Sequence, residues 1–164
     1  MKKNVVLIGM PGAGKSTVGV VLAKLIGFRF LDSDLLIQET EKRLLSEIIA
    51  RDGLDRFLEI EERINAGIRA ENTVIATGGS VVYGRRAMEE LRKQGQVVYL
   101  RLSFEEICSR VGNIQQRGIA LREDQTFRDL YDERCPLYER YADLTVEAEG
   151  TGIQELALRI KALI

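Results

Sequence analysis

Gly9-Met10-Pro11-Gly12-Ala13-Gly14-Lys15-Ser16 follows the apolar run Val5-Val6-Leu7-Ile8 and precedes a segment in which Val18, Val21, Leu22 and Leu25 recur at helical spacing. The run is short, largely β-branched and unbroken by polar residues, so it reads as a strand buried on both faces, and Gly27 is placed to cap the helix. The stretch between them fits G-x-x-x-x-G-K-[ST] in the strand–loop–helix setting that gives this pattern its meaning. Its glycines let successive main-chain N–H groups turn inward, and the following helix adds its positive end, so the loop forms a concavity for phosphate oxygens. Lys15 is expected to reach the β- and γ-phosphates of a nucleotide. Ser16 is expected to offer its hydroxyl oxygen to Mg²⁺, a hard cation that keeps most of its waters. The expected nucleotide contacts are Gly12, Ala13, Gly14, Lys15, Ser16 and Thr17.

Outward from this unit the chain keeps alternating. A second short strand is predicted over Phe28–Leu31, and helices over 34–50 and 54–70, divided at Asp52-Gly53. A third strand, Thr73–Thr77, ends at Gly78-Gly79. Arg85–Lys93 reads as a helix closed by Gly95, Gln96–Leu102 as a strand, 103–111 as a helix and 112–122 as a loop. A helix over 124–141 around Pro136, a last strand Leu144–Val146 and a helix over 151–163 complete the pattern. This alternation implies an α/β fold: a three-layer arrangement with a central parallel sheet flanked by helices, and ligands bound beyond the carboxyl ends of the strands. No repeat or Pro/Ser-rich linker interrupts it, so residues 1–164 are expected to form one domain.

Composition narrows the chemistry. Of 164 residues 45% are hydrophobic, enough for one ordinary core, and 24 basic against 25 acidic side chains leave a formal charge of −1. That balance argues against a general electrostatic footprint for nucleic acid. With no histidine in the chain, Ser-His-Asp hydrolysis, Cys-His proteolysis and His-ligated zinc are excluded. Cys108 and Cys135 form neither a CxxC pair nor a disulfide framework, which points to a reducing cytoplasm and gives neither cysteine a role beyond packing. The apolar run near the N-terminus is too short for a signal peptide or a membrane span.

Asp32-Ser33-Asp34 follows the second strand, at the sheet edge that carries the phosphate loop. A carboxylate there can orient an acceptor hydroxyl and take its proton, or cap the helix that starts near Leu35. Gly78-Gly79-Ser80 closes the third strand, either as a simple turn or as a place where backbone approaches a substrate. No Asn-Lys-x-Asp segment for reading guanine is present.

Taken in order, Gly9 to Thr17, Asp32-Ser33-Asp34, Gly53 to Glu62, Gly78-Gly79, Arg117 and Arg134-Cys135-Pro136-Leu137-Tyr138 resemble the shikimate kinase family over nearly the whole chain. The resemblance implies a P-loop, nucleoside-monophosphate-kinase-like fold with a helical substrate-binding insert at 32–61 and a lid at about 111–125. It implies transfer of the ATP γ-phosphate to the 3-hydroxyl of shikimate by a monomeric enzyme with Mg²⁺ and without nucleic-acid or membrane partners. By matching position, Lys15 resembles the phosphate-binding lysine, Ser16 the metal ligand and Asp32 the carboxylate near the reacting centre. Asp34 resembles the residue gripping substrate hydroxyls, Gly79 part of a glycine triplet, Arg110 an adenine-side contact, Arg117 the lid arginine and Arg134 a clamp on the shikimate carboxylate.

Three positions depart from that family pattern. Leu58 stands where a second carboxylate-binding arginine is expected, Ser80 replaces the third glycine, and Arg117-Gly118-Ile119 lacks the proline after the lid arginine. All three touch the acceptor side, whereas the nucleotide side is intact. Two alternatives therefore stand beside shikimate: a related kinase for another small hydroxylated metabolite, such as a sugar acid or hydroxy amino acid, and a nucleotide-binding protein without transfer activity.

Overall fold

In the computed structural model, which describes residues 3–112 and 118–164, the run ahead of the phosphate loop is β1 (Asn4–Ile8), buried at every position. It is the middle strand of a five-stranded sheet. The others are β2 (Arg29–Asp32), β3 (Thr73–Ala76), β4 (Gly95–Arg101) and β5 (Leu144–Glu147), in the order β2-β3-β1-β4-β5, with every pairing parallel. A strand with neighbours on both sides and helices on both faces has no solvent-facing row, so its residues run apolar without alternation.

The connections set the layers. α1 (Lys15–Ile26) carries the chain from β1 toward the β2 edge, while α5 (Arg85–Gln94) carries it from β3 past β1 to β4, in the opposite direction. Right-handed crossovers therefore place them on opposite faces. α8 (Ile153–Leu163) packs on α1, and α4 (Leu54–Gly67) on α5. No helix among the described residues is long and apolar enough to cross a membrane.

Between β2 and β3 lies a helical excursion. The pattern over 34–50, read as one helix, is two: α2 (Ser33–Glu41) and α3 (Leu45–Asp52). The break is at Lys42, whose φ of 56° ends α2 in a left-handed cap. Arg43 then clasps Asp52 through two hydrogen bonds of 3.1 and 2.6 Å, and the Glu47 carboxylate accepts the Leu44 N–H at 2.9 Å. Capping and ion pairing across a turn leave no mark on hydrophobic spacing, so the periodicity ran through it. α2, α3 and α4 enclose their own apolar cluster of Ile37, Leu45, Ile48, Phe57, Ile60 and Ile64, joined by Ala120 from the segment after residue 117. Burying a side chain such as Phe57 contributes about 1.5–3 kcal/mol.

After β3 a single 3-10 turn (Val81–Tyr83), not anticipated from the sequence, leads to α5. α6 (Phe104–Arg110) follows β4, and α7 (Phe127–Tyr141) begins three residues later than the predicted 124. Thr126 caps α7, accepting the Asp129 N–H at 3.1 Å while Asp129 accepts the Thr126 N–H at 2.9 Å.

Candidate active site

In a parallel sheet all carboxyl ends share one edge, and the register here pairs Leu7 with Ala76 and Ala76 with Asp32. The phosphate loop, the residues after Asp32 and the Gly78-Gly79 turn therefore emerge side by side. They open onto a cleft of about 440 Å³ whose walls include Gly12, Gly14, Lys15, Ser16, Thr17, Asp34, Gly79, Arg110 and Arg134. Of the other expected site residues, Ala13 lies behind the loop, 1% exposed, and Asp32 stands behind Ser16 rather than in the wall. Arg117 lies outside the described residues, as does part of the expected lid.

At the nucleotide end, Lys15 is buried and its Nζ donates to the carbonyls of Gly9 at 2.7 Å and Met10 at 2.8 Å. Burial pulls its pKa down to about 8, with Asp34 opposing that fall and the Arg134 charge adding to it. Ser16 Oγ donates to Asp32 Oδ2 at 2.6 Å. The other oxygen of Asp32 accepts the N–H groups of Asp34 at 2.9 Å and Leu35 at 3.3 Å, which caps α2. Arg110, on α6, donates from Nε to Glu106 at 2.8 Å and lines the cleft beside Gly12.

The other end is built from side chains of four elements. On α7, Leu130, Arg134 and Tyr138 recur every fourth residue and are all buried, so the helix stripe that packs on the core also drives Arg134 inward. Arg134 is 1% exposed. It donates from Nη2 to the Ala120 carbonyl at 2.9 Å and from Nε to Tyr83 Oη at 3.3 Å. Tyr138 donates to the Gly79 carbonyl at 2.6 Å, fixing the turn that faces the guanidinium. On α4, Phe57, Ile60, Glu61 and Ile64 make a buried stripe, and Glu61 is the charge within it. Both Glu61 oxygens lie within hydrogen-bond distance of Ser80 Oγ, at 2.7 and 2.9 Å. Burial pushes Glu61 up to about 7; the Ser80 hydroxyl resists this, Asp34 adds to it and Arg134 opposes it. Asp34 rises to about 6, through burial first and Asp32 second, with Lys15 opposing. Its Oδ1 is buried with no hydrogen-bond partner among the described residues.

Glycine is required where these groups crowd. A Cβ on Gly78 would stand 2.5 Å from Asp34 Oδ1 and 3.0 Å from Glu61 Oε2. On Gly79 it would stand 2.7 Å from Pro11 and 2.9 Å from Arg134 Nη1. Ser80, at φ −90° and ψ 0°, needs no such freedom. Leu58 is not in the cleft wall but packs on the apolar cluster of α2–α4. Gly118 has φ +65°, a backbone closed to proline, and comes against Leu45 and Ser46 of α3.

Glu61, Ser80 and Tyr138 were not among the site residues expected from the sequence. For Glu61 the signal existed: a carboxylate on the inward stripe of an amphipathic helix is expensive unless it has a task. Ser80 showed only as a departure from a glycine triplet and Tyr138 gave no signal of its contact, because their partners lie 19 and 59 residues away.

A P-loop on the central strand of a five-stranded parallel sheet, with a carboxylate and a buried arginine across one cleft from it, defines a P-loop kinase fold of the small-molecule class. The family model described as shikimate kinase matches residues 11–164. The chain is 38% identical to the shikimate kinase of Thermodesulfovibrio yellowstonii over 96% of its own length and 92% of the relative's. It is 35% identical to that of Clostridium botulinum over 100% and 98%. Among solved structures, a shikimate kinase from Acinetobacter baumannii in complex with shikimate superposes with a TM-score of 0.89 at 33% identity, covering 98% of this chain and 92% of that one. The enzyme from Aquifex aeolicus gives 0.82 at 27% identity, covering 97% and 94%. The chain belongs to the shikimate kinase family and is a small-molecule kinase that transfers phosphate to a hydroxyl.

Proposed function

We propose that this protein transfers the γ-phosphate of ATP to the 3-hydroxyl of shikimate in aromatic amino acid biosynthesis, with 32–61 as the acceptor-binding insert and 111–125 as the lid. The carrying observation is that a single cleft has Lys15 and Ser16 at one end and Asp34 and Arg134 at the other. The free thiols of Cys108 and Cys135 suit a cytoplasmic setting.

The exposed Ser16 hydroxyl, held from behind by Asp32, is a hard oxygen donor of the kind Mg²⁺ takes alongside water and phosphate. Bound there, the ion would neutralise phosphate charge. Lys15, now on two loop carbonyls, has γ-phosphate oxygens as its stronger alternative partners. Arg134 would hold the acceptor carboxylate, turning the ring so that one hydroxyl faces Asp34. The sequence reading put Asp32 beside the reacting centre. With one Asp32 oxygen capping α2 and the other on Ser16, we assign Asp32 to positioning and the proton to Asp34, whose buried oxygen has no hydrogen-bond partner among the described residues. The hydroxyl oxygen then bonds to phosphorus, its proton passes to the Asp34 carboxylate, and the bond to the bridging oxygen breaks to release ADP.

The test is ADP release in a coupled assay with shikimate. Shikimate-dependent turnover well above the background without acceptor is expected. A rate that shikimate leaves unchanged and another hydroxylated acid stimulates would replace shikimate as acceptor. That second reading has one observation behind it: Leu58 is packed away as an apolar residue, so Lys15, Arg110 and Arg134 are the cations among the described residues of the cleft wall.

A further inference from the structure

Glu61 is a buried acid whose position the phosphoryl transfer outlined above does not explain. It stands beside Asp34, the two carboxyls flanking Gly78 so closely that a Cβ there would lie 2.5 Å from Asp34 Oδ1 and 3.0 Å from Glu61 Oε2. Two acids side by side repel when ionised, and each needs a donor or a cation to hold its place. Three residues earlier on the same helix, a position whose side chain neighbours Glu61 across one turn, the chain has Leu58, which contributes neither. The donor comes instead from the opposite wall, where the Ser80 hydroxyl spans both Glu61 oxygens. Ser80 is 5% exposed and lines the cleft, so the bond is formed at the acceptor end itself.

We propose that Ser80 is a specificity-determining residue of the acceptor site: its hydroxyl fixes the Glu61 carboxyl against Gly78, aimed at an acceptor hydroxyl next to the one Asp34 addresses. This rests on the acceptor site described above and deepens it. A hydroxyl partner uses one donor and leaves Glu61 lone pairs for the ligand, whereas a guanidinium would take a face of the carboxylate bidentately. The acceptor class selected is thus a polyol acid, gripped at its carboxylate by Arg134 and at neighbouring hydroxyls by Asp34 and Glu61. Ser80 is a positioning residue in this scheme, acting through Glu61.

The experiment is a steady-state comparison of wild type, Ser80→Ala, Ser80→Gly, Glu61→Ala and the Ser80→Ala/Glu61→Ala pair, each checked for folding by thermal melting. The acceptor is whichever alcohol the wild type phosphorylates from a panel of hydroxylated acids that includes shikimate. Both Ser80 variants should raise the acceptor KM about tenfold, with the ATP KM within twofold. In the Glu61→Ala background, Ser80→Ala should add less than twofold, because the acceptor of its hydrogen bond is already gone. An acceptor KM unmoved by both Ser80 variants, or Ser80 and Glu61 losses that multiply, overturns the inference. Wild-type turnover of another alcohol but not shikimate sinks the shikimate reading alone, while absence of acceptor-dependent ADP from a folded wild type sinks both.

Discussion

The two ends of the cleft are made in different ways. The end proposed for the nucleotide is one continuous segment, Gly9 to Thr17, in which backbone amides and a helix N-terminus would do the recognising and Lys15 would be the main side-chain contribution. The acceptor end gathers Asp34 from α2, Glu61 from α4, Gly79 and Ser80 from the turn after β3, and Arg134 from α7. A site written in consecutive residues tolerates change only by breaking its pattern. A site assembled from distant elements can draw a partner from any of them, as Glu61 on α4 does from Ser80 in the turn after β3.

The sharpest break between the ends should come from Asp34→Asn against Lys15→Ala. Both should lower kcat/KM by about a hundredfold or more, the range for losing a proton acceptor or a preorganised charge. They should separate in binding: a fluorescent nucleotide titration should show near-normal affinity for Asp34→Asn and a clear loss for Lys15→Ala. Equal loss of nucleotide in both would mean that the two ends are not separate.

Next in size, Arg134→Lys should raise the acceptor KM by one to two decades, about 1.5–3 kcal/mol, because a lysine keeps the charge but not the fork that reaches both Ala120 and a carboxylate. The ATP KM should stay within a few-fold, which steady-state kinetics with each substrate varied will show.

A third comparison concerns stability. The folded-state pKa of Glu61, about 7, lies above its ordinary value near 4.5. Its favourable contribution is therefore complete below about pH 4.5 and is lost as pH rises through 7, where the buried group must ionise or hold its proton against solvent. Asp34 beside it and Arg134 opposite are the charged groups that face it. Glu61→Gln, neutral throughout, should raise stability by about 1–2 kcal/mol at pH 8 and leave it nearly unchanged at pH 4.5. Melts at the two pH values check this, and a gain equal at both would remove ionisation as its cause.

The smallest effect should belong to Asp32→Asn. The amide still caps α2, so stability should fall by no more than about 0.5 kcal/mol. The loss should appear instead as a higher Mg²⁺ concentration needed for half-maximal rate, through the Ser16 hydroxyl that Asp32 holds.

Local rules were enough wherever structure is local. The run Val5–Ile8, the glycine loop and the apolar spacing of α1 declared strand, cradle and helix, and alternation gave the parallel sheet. Elsewhere the rules stopped short. The Lys42 break between α2 and α3 depends on Arg43 reaching Asp52. The loss of proline at Gly118, a departure in the sequence, goes with a positive-φ backbone pressed on Leu45.

By itself, then, the sequence determined a P-loop kinase core with Lys15 and Ser16 where its glycine loop meets α1, because a backbone cradle needs only neighbouring residues and their intrinsic conformations. Tertiary structure decided which of Asp32 and Asp34 faces the cleft, that Leu58 turns to an apolar cluster, and that Glu61 finds its hydrogen bond on Ser80. Those outcomes depend on burial and on donors brought from other helices, and a buried group's chemistry is set by its neighbours in space.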